Sequence, residues 1–135
     1  MEKSHVFAAD SVPFVDVEWG RTKVLAGLGP SGGGQRCEAV EFKVTEFLPG
    51  YSHRLHVHPT QVEILYVLSG RGVHEDTEGR RVGFGPGDVV FIPAGCWHAN
   101  HNPHSDPLRV LVVKVPPGRS EMNAAPSLLE RPGLT

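Results

Sequence analysis

Short apolar runs cut by glycine and proline constrain this chain more than any other feature. Sixteen glycines and twelve prolines are spread over 135 residues, and between them lie segments such as "EILYVLSG", "DVVFIPAG" and "LRVLVVKV". Proline removes a backbone donor and glycine loses the most entropy on ordering, so few stretches remain in which a helix of several turns could persist. Strands of four to eight residues fit between the breaks, and the even spacing of the turns predicts an all-β sandwich or barrel. With 39% apolar residues the chain supports one packed core and is too short for two ordinary domains. "GPSGGGQR" at 29–36 reads as a connection between strands, and the tail from Pro116 loses strand character.

Thirteen basic and fifteen acidic side chains give a formal charge of -2. No general attraction to nucleic acid or to an anionic membrane is encoded, which leaves a small molecule as the expected partner. "MEKSHVFAADSVPF" has no continuous apolar stretch of the kind that directs export, so the expectation is a soluble, cytoplasmic protein. Cys37 and Cys96 lack C-x-x-C spacing and read as two ordinary thiols. "GLGPSG" matches a dinucleotide-binding glycine pattern, but Gly33, Gly34 and a β-patterned segment follow it where a helix would have to begin.

The chemistry is concentrated in "GYSHRLHVHPTQVE", residues 50–63. Strand alternation puts Ser52, Arg54, His56 and His58 on one face and His53, Leu55 and Val57 on the other. After the turn residues "PTQV", Glu63 opens a second strand and can return to the face of His56 and His58. Two imidazoles and a carboxylate near one point suit a divalent transition metal such as Fe, Mn, Ni, Cu or Zn better than Ca or Mg. "GDVVFIPAGCWHANHN" at 87–102 offers a fourth ligand, His98. His5, His74, His101 and His104 fall in turns or termini on this reading and are expected to be solvated, although His101 lies beside Asn102.

Both segments resemble the two signature motifs of the cupin superfamily. The first has Gly50, His56-x-His58, Glu63 and Gly70; the second has Gly87, Pro93-x-Gly95, His98 and Asn102. Sixteen residues, 71–86, separate them. The resemblance implies a double-stranded β-helix, the jelly-roll or cupin barrel, as a single domain over 1–135. Its barrel core would span about 36–116, with arms at 1–35 and 117–135. It also implies one divalent ion (Fe, Mn, Ni or Zn) held by His56, His58, Glu63 and His98.

Arg54, inward by parity, needs an acidic partner or an anionic ligand. Glu41 and a substrate carboxylate are the two candidates. The inner positions Ser52, Arg54, Leu65, Val67, Cys96 and Asn100 describe a mixed pocket, in which Cys96 reads first as a small buried side chain. Tyr66 faces outward with Ile64 and Leu68. Some metal cupins that cleave dimethylsulfoniopropionate use a tyrosine two residues after the metal glutamate. Here that position is Leu65, which argues against such an activity.

By resemblance, the function is that of a metal-dependent cupin acting on a small organic molecule, with oxygenase-type or Lewis-acid (isomerase, lyase or cyclase) chemistry. Glu63 would then be a possible proton acceptor. The alternative is a non-catalytic module that binds a small molecule or sugar. Leu55, Val57, Ile64, Tyr66 and Leu68 project away from the site, and so large an apolar face predicts either cover by the arms, with Phe7, Phe14, Trp19, Leu128 and Leu129, or a homodimer.

Overall fold

In the computed structural model, which describes residues 3–117, eleven strands follow one 3₁₀ turn at Ala9–Ser11. They are β1 (Val15–Val17), β2 (Gly20–Gly27), β3 (Gln35–Arg36), β4 (Glu41–Phe47), β5 (Ser52–His56) and β6 (Val62–Ser69), followed by β7 (Gly72–Glu75), β8 (Arg81–Phe84), β9 (Val89–Ile92), β10 (His98–His101) and β11 (Leu108–Val115). A seven-stranded sheet runs β1-β2-β4-β11-β6-β9, with β3 beside β2, and a four-stranded sheet runs β5-β10-β7-β8. Every pairing is antiparallel except β2 with β3. This is the all-β architecture that the glycine and proline punctuation predicts, and the double-stranded β-helix that the resemblance implies. Among the described residues no helix is long and apolar enough to cross a membrane.

The glycines act where the chain reverses. Gly70 has a φ of +80°, and a Cβ there would collide with the Pro107 carbonyl, so both dihedral and space demand glycine. Gly95, also at +80°, donates its N–H to the His58 carbonyl at 3.0 Å. That bond ties the turn before His98 to the strand end that carries His58.

Cross-strand register sorts the inner face of the large sheet into rows. Phe47 faces Leu108, and Thr45 faces Val110 and then Val67. Lys43 faces Val112 and Leu65, and Glu41 faces Lys114 and then Glu63. The first rows feed the core of Phe47, Leu65, Val67, Phe84, Val90, Ile92, Leu108, Val110 and Val112, against which Trp19 and Cys96 pack. Full burial of each large apolar side chain contributes roughly 1.5–3 kcal/mol. The last row is charged, so the interior grades from a hydrocarbon floor to an ionic mouth.

The segment expected to be an N-terminal arm has two roles. Val15–Gly27 forms β1 and β2, with β2 paired along β4 as part of the large sheet. Residues ahead of it strap the outer face: Val12 is buried with Leu25 and Val44, and Ala9, Phe14, Phe42 and Leu111 pack around them. Lys23, also buried, donates to the Ala9 carbonyl at 2.7 Å, and its ammonium lies 4.5 Å from the Phe14 ring. The strap leaves Tyr66, Leu68 and Val89 exposed on the β6–β9 side. Leu55 is exposed too, but it lies on the four-stranded sheet, so the apolar positions expected on one outward face belong to two. Leu128 and Leu129 lie outside the described residues.

Candidate metal centre

β5 and β10 form the wall that carries two of the histidines, and their pairing is irregular. His98 lies opposite His56 but Asn100 lies opposite His53, so three steps on β5 answer two on β10. A bulge of this kind reverses the facing of everything beyond it. His53, expected outward, therefore stacks on His56 with ring centroids 3.9 Å apart. Trp19 stacks on His53 at 4.7 Å and Phe47 on Trp19 at 4.8 Å, giving a four-ring column that ends on His56.

Arg54 is turned outward by the same bulge. It pairs with Glu18 at 3.3 Å, with its side chain 85% exposed, while Glu41 pairs with Lys43 at 3.1 Å. The expected inward Arg54, whether paired with Glu41 or facing a substrate anion, is thereby corrected. Ser52 is also outside, with its hydroxyl 2.6 Å from His101 Nδ1. His101 Nε2 lies 2.9 Å from Glu75, which Arg81 also reaches at 3.2 Å, and the four form an exterior network on the small sheet. His74, expected in a solvated turn, is buried on β7 with Nδ1 2.7 Å from Asn100 Oδ1. Leu65, Val67 and Asn100 are inside as expected, and Cys96 packs against the core.

The inward ring nitrogens are aimed by the backbone. His56 Nδ1 lies 2.6 Å from the Arg54 carbonyl and His98 Nδ1 lies 3.0 Å from the Cys96 carbonyl. Each carbonyl requires the ring proton on Nδ1, which leaves Nε2 with a free lone pair. His56 Nε2, His58 Nε2, His98 Nε2 and Glu63 Oε2 are all buried without a hydrogen-bond partner. His58 Nε2 lies 2.8 Å from Glu63 Oε2, close enough to pull the carboxylate toward its ionised form. One ligand atom from each of the four residues falls within 4.8 Å of all the others. Opposed donors about 2.1 Å from an ion stand roughly 4.2 Å apart, so the cluster is a few tenths of an ångström wider than a metal's first coordination sphere. The donor set, the burial and the missing partners fit a divalent transition metal.

Electrostatics point the same way. Burial pushes the His98 pKa down to about 4, against the smaller pull of the Cys96 carbonyl and Glu63. Burial, with His56 next to it, likewise holds His53 at about 4. His56 is lowered by burial, in opposition to its bond with the Arg54 carbonyl. Burial opposes ionisation of Glu63, but His58, Lys114 and His98 outweigh it and hold the carboxyl at about 2. At neutral pH His56 and His98 are thus neutral and Glu63 is ionised, the protonation states that ligation needs.

Sequence reasoning missed two groups here. Nothing local announces the β5 bulge, so His53 and Trp19 carried no signal. Lys114 did carry one: in "LRVLVVKV" it shares parity with Leu108, Val110 and Val112, all buried.

The family model for the cupin domain matches residues 43–114, just over half of the chain. The oxalate-binding protein of Thermotoga maritima is 40% identical over 65 residues, 48% of this chain and 53% of that protein. The chain spans about half the length of the curated relatives it matches. Among solved structures, KdgF from Halomonas sp. superposes with a TM-score of 0.69 at 24% identity, covering 87% of this chain and 99% of that one, a likeness of fold. A predicted oxalate decarboxylase from Thermotoga maritima gives a TM-score of 0.54 at 35% identity over 57% of this chain and 66% of that one.

Proposed function

This chain belongs to the cupin family, and from that premise we propose that it is a metal-dependent enzyme acting on a small organic molecule, with His56, His58, Glu63 and His98 as the ligands. The observation that carries the reading is the convergence of four buried, partnerless ligand atoms within 4.8 Å. A bound Fe, Mn, Ni or Zn would supply a Lewis acid or, for a redox-active ion, an oxygenase-type centre. The chain's own residues do the rest. The Arg54 and Cys96 carbonyls aim the rings of His56 and His98, the Phe47–Trp19–His53 column backs His56, and Leu65 and Val67 keep the floor dry. Leu65 is buried in the core and has no acid–base chemistry, which supports setting aside dimethylsulfoniopropionate cleavage. Glu63, held ionised, is a weak base in this setting and is better suited to ligation than to accepting a proton.

The ligand we favour is a compact carboxylate, a reading supported by the oxalate-binding relative. That relative's description also favours a second reading, a cupin that binds without turnover. Elemental analysis of the purified protein tests the centre: about one divalent ion per chain is expected, and a His58→Ala, His98→Ala double variant should hold almost none. Full metal in that variant would overturn the ligand set. Carbon-13 oxalate incubated with the loaded protein then separates the two readings, since formate and carbon dioxide mean catalysis and an unchanged spectrum with saturable binding means a carrier. We also propose a homodimer through the exposed β6–β9 face with Tyr66, Leu68 and Val89. Light scattering returning a mass near 14.7 kDa would remove it.

A further inference from the structure

We propose that Lys43 and Lys114 form an anion anchor on the inner wall beside the metal ligands, and that they select a ligand carrying a second carboxylate in addition to any group that meets the ion. The inference rests on the metal-centre reading for that first contact and on the register of the large sheet for the second.

Lys114 lies directly opposite Glu63 on β6 and Glu41 on β4, while Lys43 lies opposite Val112, whose own partner on the other side is Leu65. Directly opposed residues of antiparallel strands share a face. Val112 and Leu65 are core, so both lysines project into the barrel interior. Lys43 has a carboxylate partner in Glu41 at 3.1 Å, with only 16% of its side chain exposed. Lys114 has no ion pair among the described residues. Glu63 and Glu41 flank that ammonium on the neighbouring strands, and both have other partners, Glu63 in the ligand cluster and Glu41 in Lys43.

Charge balance gives the ligand class. Without metal, two ammonium groups face two carboxylates, Glu41 and Glu63. A divalent ion on Glu63 leaves the interior with an excess of two positive charges. A dicarboxylate restores neutrality, with one end toward the ion and the other toward Lys114 and Lys43, and a neutral sugar or phenol does not. A cavity of about 520 Å³ adjoins this charged row at Glu41; Val24, Glu38, Thr60, Gln61 and Pro116 also line it, and neither lysine nor any of the four metal ligands does. That volume is within the usual range for small-molecule sites.

The test is calorimetric titration of oxalate, malonate and the neutral malonamide into metal-loaded protein, wild type against Lys114→Met. The expected result is at least a tenfold loss of dicarboxylate affinity, about 1.4 kcal/mol. Malonamide binding should change by less than twofold, and metal content should be unaltered. Lys114→Arg should restore dicarboxylate affinity to within about threefold, because the charge and not the exact shape is retained. Unchanged dicarboxylate affinity in Lys114→Met at full metal content overturns the anchor. So does a loaded wild-type protein that prefers malonamide. If Lys114→Met fails to fold, Lys114→Gln takes its place under the same criteria. A protein that takes up no metal defeats the metal-centre reading instead. The anchor is then judged on the metal-free chain by chemical-shift titration with malonate, where absence of a response lost in Lys114→Met overturns it.

Discussion

β5 and β6 both deliver metal ligands to the same point, and they obey different rules. β6 lies between β11 and β9, hydrogen-bonded on both sides. Its alternation is regular through the middle: Glu63, Leu65 and Val67 are buried, and Tyr66 and Leu68 are exposed. β5 is the edge strand of the smaller sheet, with β10 as its one neighbour. There a bulge puts His53 and His56 on the same side and sends Arg54 to solvent. Period-two reasoning assumes an unbroken ladder, and a second neighbour enforces that ladder while a free edge does not. The inside and outside of a central strand can therefore be read from the residues alone. For an edge strand the partner's register has to be known.

The largest difference should appear in stability. Leu65→Ala removes a side chain that is 1% exposed in the middle of the core, and should cost about 2–5 kcal/mol. Leu55→Ala, on β5, removes a similar side chain that is 50% exposed, and should stay within about 0.5 kcal/mol. Urea unfolding of the two variants measures both. A Leu55→Ala cost near that of Leu65→Ala would mean that β5 packs as β6 does, and the contrast between the strands would collapse.

The same contrast explains what could be read without coordinates. Glycine and proline punctuation excluded long helices, and the two spaced motifs pointed to the barrel and to the four residues that converge in it. Both signals are local, a matter of spacing along the chain. The outward Arg54, the inward His53 and the placement of Trp19 depend on how β10 and the N-terminal segment meet β5, which is tertiary information. His74 reads from sequence as a residue in a turn or terminus, and the strand that holds it, Gly72–Glu75, is only four residues long and shows little alternation. Lys114 is a different case. Its parity was legible, but a lysine near the end of an apolar run is usually solvated, and its significance emerges only once Glu63 and Glu41 are seen on either side of it.

A smaller effect follows from the buried rings of the metal-free, chelator-treated protein. His53 and His98 titrate near 6.5 when unfolded and near 4 in the fold. Between those values the unfolded chain binds more protons, so stability falls as pH is lowered from about 6.5 to about 4, and these two groups add nothing further below that. After allowance for solvent screening the combined loss should be on the order of 2 kcal/mol. His53→Phe keeps a ring against Trp19 and His56 but removes one titrating group, and should reduce the slope. An unchanged slope would put His53 in solvent, as unbroken alternation requires, and would remove the bulge from the account.

Arg54 should give the smallest effect, and the absence of a large one is informative. Unbroken alternation makes Arg54 an interior cation beside His56, whose loss would either unfold the barrel or weaken an anionic ligand about tenfold or more. The observed pair with Glu18 has side chains 85% and 75% exposed, and exposed pairs of this kind are worth roughly 0–1 kcal/mol. Arg54→Met should therefore shift unfolding by no more than about 0.5 kcal/mol. It should also leave metal content and malonate affinity where they were, while Lys114→Met moves the affinity. Measured side by side by urea unfolding and calorimetry, the two variants ask which cation the interior uses. Loss of malonate binding in Arg54→Met with Lys114→Met unaffected would return the anion contact to β5 and restore the alternation that the bulge replaces.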